Sequence, residues 1–175
     1  SVRYPNKVSM LIERSTYLGF AIPGISVALG IVFFSINFMT PIYQTTVLLL
    51  FAYTVLFVPA AIAATKSALL SVNPRLEDAA RGLGKNRTQV FRMVTLPLMW
   101  RGTLAGGVLV FLLTMKELPA TLILSPLGFK TLATTIWGSA SEAFFTQAAF
   151  ASLLLLLVTS IPMAFLTFHG QRELR

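Results

Sequence analysis

Cysteine is absent from the 175 residues, so disulfides, thiolate nucleophiles and cysteine-held metals are excluded and the redox compartment cannot be read. Histidine occurs once, as His169, at the far end of an apolar run. A hydrolytic dyad needs a better placed base, so His169 reads as an interfacial residue without special chemistry. Of the six acidic residues, Glu77 and Asp78 are adjacent, so they point in different directions on a helix, which argues against a metal or acid/base pair. The stretch "GLGKNRT" has neither the full spacing of a phosphate loop nor a hydroxyl after its Lys. Charge is scarce as well: 11% of residues are charged, where soluble domains carry about 25%.

What fills the chain is apolar. Hydrophobic residues make up 55% of it and the mean hydropathy is +0.77. A spanning helix needs roughly 20 mainly apolar residues, because only a helix or a closed barrel satisfies every backbone group away from water. Four runs qualify, about 17–39, 42–65, 98–115 and 143–168, and each is too long and continuous for an alternating barrel strand. The expected fold class is therefore an all-α membrane protein of about four transmembrane helices, in a single domain. Pro23-Gly24, Pro59 and Pro162 lie inside these runs and should kink them, which is ordinary membrane-helix geometry.

The basic residues set the expected orientation. Arg3, Lys7 and Arg14 precede the first run; Lys66, Arg75, Arg81, Lys85, Arg87, Arg92 and Arg101 fall between or beside the second and third; Arg172 and Arg175 follow the fourth. Twelve of the fourteen thus share one side, leaving Lys116 and Lys130 on the other. The positive-inside rule then makes both termini cytoplasmic. Bases gathered at helix ends account for the net charge of +8 without nucleic acid, which would call for a basic patch interleaved with exposed aromatics. The N-terminus, "SVRYPNKVSMLIERS", carries no secretory signal and no initiating Met, and suggests a piece of something longer.

One polar passage interrupts the apolar runs, over about 71–97. Asn73-Pro74 supplies a cap and a first-turn proline, so a short helix is expected through Glu77, Asp78, Ala79, Ala80 and Arg81. Gly82 and Gly84 can end it, glycine being at ease in the left-handed conformation. Asn86 with Gln89 resembles a capping box that starts a second short helix through Val90, Phe91 and Val94, and Leu96-Pro97 should stop that one. A bent helix pair with an apolar face suits docking into a partner's groove.

Asp78-Ala79-Ala80, three residues, Gly84, nine residues, Val94-Thr95-Leu96-Pro97 resembles the cytoplasmic signature of ABC importer permeases, Glu-Ala-Ala, three residues, Gly, nine residues, Ile-x-Leu-Pro. The departures are Asp for Glu at 78 and Val for Ile at 94. The resemblance implies a coupling helix seated in an ABC ATPase subunit, with Glu77, Asp78, Ala79, Ala80, Gly84, Val94, Leu96 and Pro97 at that interface. It also implies that ATP and Mg sit on a partner ATPase dimer, that no cofactor binds this chain, and that a periplasmic binding protein delivers substrate in a bacterial inner membrane.

A second stretch, "MKELPATLILSPLGFKTLATTIW", is similar to ferric iron permeases, as is "AIPGISVALG". That resemblance implies ferric iron as substrate and a chain that forms the C-terminal part of a second helical bundle, with the remaining permease half supplied elsewhere. Permeases for polyamines, thiamine or phosphonate are the alternatives; a membrane enzyme or passive channel would leave the coupling signature without a role. Lys116, Glu117, Pro119 and Thr121 are candidates for the translocation path. Residues 116 and 117 are either anchors at the outer interface or, if Pro119 turns the chain back, part of a water-filled cavity.

Overall fold

The computed structural model describes residues 22–171, with side chains described through residue 164. The expected start of the first run near Tyr17, the bases Arg3, Lys7, Arg14, Arg172 and Arg175, and the side chain of His169 lie outside the described residues. The protein is all-α: α1 (Gly24–Phe38), a 3₁₀ turn (Thr40–Ile42), α2 (Thr46–Leu70), α3 (Pro74–Gly82), α4 (Arg87–Val90), a π turn (Phe91–Thr95), α5 (Leu96–Met115), α6 (Pro119–Leu124), α7 (Leu132–Ser141) and α8 (Phe145–Gln171).

Three helical stretches are long and apolar enough to cross a membrane: Thr46–Leu70, Arg87–Met115 and Phe145–Ala164. α1 is apolar but shorter. α2 begins where Thr45 accepts a hydrogen bond from the Leu48 amide at 3.4 Å, and it runs unbroken through Pro59. Apolar side chains such as Phe33, Phe150 and Ile161 stand exposed on the outside, as a lipid-facing surface requires.

Small residues bring α2 and α5 together. Gly102 faces Ala68 and Gly106 faces Ala64, so the two helices run antiparallel with their backbones nearly touching. A Cβ at Gly102 would stand 2.6 Å from the Ala68 Cβ, and one at Gly106 would come closer still to Ala64. Where lipid tails are as apolar as the side chains, this close van der Waals approach is what holds helices together. A second core forms between α1, the Thr46 end of α2 and α6, from Ala28, Leu48, Leu49, Ala52, Ala120 and Leu124.

Two boundaries depart from the sequence reading. The second short helix does not stop at Leu96-Pro97; it flows through the π turn into α5, so Arg87–Met115 is one rod. Inside that rod Pro97 offers no N–H to the carbonyl four residues back, and its ring needs room beside that carbonyl. The wider turn, in which the Leu96 amide bonds Phe91 O, opens the backbone at that point. In turn, 116–142 is a structured connection holding α6 and α7, and α8 starts at Phe145 after Ala143 takes a positive φ of 64°.

Candidate functional site

The polar passage folds as a bent helix pair, built from its caps. The Asn73 side chain accepts from the Arg75 amide at 3.0 Å and opens α3. At the other end, the Lys85 amide donates to Ala80 O at 3.2 Å and the Gly84 amide to Arg81 O at 2.9 Å. This pair of bonds requires a left-handed residue, and Gly84 has φ +80°. Asn86 and Gln89 then close a reciprocal capping box, at 2.9 and 3.0 Å, that starts α4.

A buried polar contact locks the two halves. Glu77 points inward, 7% exposed, and its Oε1 accepts the Thr95 hydroxyl at 2.8 Å. Arg81 approaches Glu77 at 3.8 Å and Asp78 at 3.2 Å. Thr95 ends the π turn, so the bond ties α3 to the base of the long rod. A charge-assisted bond away from water is worth more than an exposed one, because water cannot stand in for a lost partner there.

The remaining residues of the signature have distinct places. Asp78 and Ala79 are exposed and Ala80 is half-buried. Val94 is half-buried in the π turn, and Leu96 and Pro97 are exposed at the start of α5. Of the apolar face expected from Val90, Phe91 and Val94, Val90 is only 3% exposed and serves the interior. The apolar surface turned outward includes Leu76 and Leu83, the latter 82% exposed at the tip. Neither had been singled out from the sequence, although 76, 79, 80 and 83 have the spacing of one helical face.

The residues proposed for the path meet at a break between helices. Lys116 and Pro119 are exposed, Glu117 is half-buried and Thr121 is fully buried. Glu117 Oε1 accepts the Ala120 amide at 3.0 Å. The Thr121 hydroxyl donates to Glu117 O at 2.8 Å, which leaves Tyr53 as the donor in the 2.5 Å contact between Tyr53 OH and Thr121 Oγ1. Tyr53, a partner that the sequence did not mark, thereby pins the break to α2. Glu117 also lies beside Gly24: a Cβ there would be 3.5 Å from Oε1 and 3.8 Å from a Leu56 methyl. No group of three or more His, Asp or Glu side chains that could hold a metal occurs among the described residues.

Residues 2–173 match the family model of binding-protein-dependent transport system inner membrane components. The chain belongs to that family. It is 37% identical over 163 residues to the Fe(3+)-transport system permease protein FbpB 2 of Haemophilus influenzae, a match covering 93% of this chain and 32% of that protein. It is 27% identical over 161 residues to the putative 2-aminoethylphosphonate transport system permease protein PhnV of Salmonella typhimurium, covering 92% of this chain and 61% of that one. Over a shorter stretch of 71 residues, 41% of the chain, it is 41% identical to the molybdenum transport system permease protein ModB of Escherichia coli, of which the match covers 31%. This inner membrane component therefore spans 32% of the length of the first relative and 61% of the second.

Proposed function

We propose that this chain is the C-terminal part of a permease that carries ferric iron inward, driven by ATP hydrolysis on a separate ABC ATPase dimer. The observation that carries the coupling half of this reading is the helix pair around Gly84, bolted by Glu77 and Thr95 to a rod that continues unbroken to Met115. A push on α3 is transmitted to α5 through the Glu77 to Thr95 bond and the turn at Gly84. Leu76, Ala79 and Leu83 would enter a cleft of the ATPase, while Glu77 holds the element's shape from inside. ATP and Mg belong to that partner, and this chain binds no cofactor. A periplasmic binding protein hands over the substrate, the remaining permease half completes the pore, membrane lipid covers the outer surface, and nucleic acid has no role.

The orientation follows the same logic as the charges. The coupling segment and both termini face the cytoplasm, since the bases cluster there. Ferric iron is favoured by the relative that matches 93% of the chain. Reconstitution of the complete transporter in proteoliposomes tests the reading. Uptake of radiolabelled iron should require ATP and the binding protein; uptake of 2-aminoethylphosphonate or molybdate in its place would reject iron as the substrate.

A further inference from the structure

A break in the helix lies beside the start of α1, in the apolar part of the molecule. Ile22 and Pro23 are non-helical before α1, and 116–118 is non-helical between α5 and α6. Glu117 Oε1 reaches toward Gly24, which in turn faces Leu56 of α2. At a rise of about 1.5 Å per residue, Leu56 has about 15 Å of α2 between it and Thr46 and about 21 Å between it and Leu70. The break is therefore near the middle of the span and far from either interface. The antiparallel register of Gly102 and Gly106 against Ala68 and Ala64 leads independently to the same level, because its continuation sets the end of α5 opposite the middle of α2.

Irregular backbone and ionised side chains persist at such depth only inside protein or against water. One side of the break is covered, by α1 and α2 and by the bond from Tyr53 to Thr121. The other side carries Lys116 and Pro119, both exposed. A lysine ammonium there would be costly against lipid and equally so against dry packing. We propose that this side of the break is a wall of the water-filled translocation cavity, and that Glu117 is the carboxylate a hard cation contacts in passing.

The cation assignment rests on the ferric reading given above; the cavity does not. Carboxylate oxygen is a hard donor suited to hard ions. Glu117 Oε1 is fixed by the Ala120 amide, and its Oε2 makes no hydrogen bond or ion pair among the described residues. One carboxylate beside a lysine makes a weak contact. That weakness suits conduction, where a site must release what it holds.

The test uses the complete transporter. Lys116→Cys introduces the sole thiol of this chain. It should react with a charged, water-borne thiol reagent, and absence of reaction in both nucleotide-free and nucleotide-trapped complexes overturns the cavity. Glu117→Gln keeps an oxygen for the Ala120 amide and removes the charge, so assembly and stability should hold while iron uptake falls about tenfold, as when one charge-assisted ligand is lost. Glu117→Asp should retain an intermediate rate. Wild-type uptake by Glu117→Gln returns the residue to a purely local role and overturns the cation contact. A wild-type complex that moves no iron overturns the substrate reading and the cation assignment with it, and thiol labelling then decides the cavity alone.

Discussion

Gly84 offers a perturbation whose cost can be worked from the structure. Its φ is +80°, and a Cβ built on it meets nothing within 4 Å. Within this chain crowding therefore contributes nothing, and the penalty of a side chain there comes from holding an L residue in the left-handed region. That penalty is about 1 to 2 kcal/mol for alanine, more for a β-branched residue and least for asparagine. One to two kcal/mol shifts the ratio of formed to unformed turn by about 5- to 30-fold. The amide bonds from Gly84 and Lys85 to the end of α3 weaken by the same amount, and α3 loses its fixed angle to the rod. Uptake by reconstituted Gly84→Asn, Gly84→Ala and Gly84→Val complexes should fall in that order, with normal membrane levels and with basal ATP hydrolysis retained. Wild-type uptake by Gly84→Val, or an asparagine variant as impaired as the valine one, would refute the conformational argument.

Three further outcomes follow from other contacts. Thr95→Val removes a hydrogen bond to the buried Glu77 carboxylate, which costs about 1.5 to 3 kcal/mol, so uptake per ATP should drop, and Thr95→Ser should restore it. Gly106→Leu drives a side chain into Ala64 and should lower the thermal unfolding temperature of the purified complex, since overpacking costs about 1 to 3 kcal/mol; a variant as stable as wild type would contradict the close approach of α2 and α5. A cysteine at Lys85 should be labelled only from the cytoplasm and one at Gly128 only from outside, and reaction of the Lys85 site from outside would reverse the orientation.

Local signals carried the legible part of the molecule. Asn73-Pro74, Gly84 and the Asn86/Gln89 pair each act within a few residues of backbone, and the structure places a cap, a left-handed turn and a capping box at them. Composition sufficed for the all-α membrane class, because a run of apolar side chains that long has few other fates. What sequence hid was non-local. The Glu77 to Thr95 bond spans 18 positions and the Tyr53 to Thr121 contact spans 68, and no periodicity announces either. Proline rules are also local averages, so they placed a stop at Pro97 where a π turn lets the helix continue. Depth was the largest gap. Whether residues 116 and 117 reach an interface depends on the register between α2 and α5, and that register is set by Ala64, Ala68, Gly102 and Gly106, which carry no signal about level.

The central claim is that the helix pair around Gly84 is the contact with the ATPase. Leu83 is its most exposed apolar side chain, 82% accessible at the tip. A photo-crosslinking amino acid at Leu83, introduced in the complete transporter and irradiated in membranes, tests the claim directly. The account predicts one dominant product joining this chain to the ATPase subunit, with a yield that changes when nucleotide is trapped. Crosslinks to lipid or to the binding protein, with none to the ATPase in any nucleotide state, would contradict it.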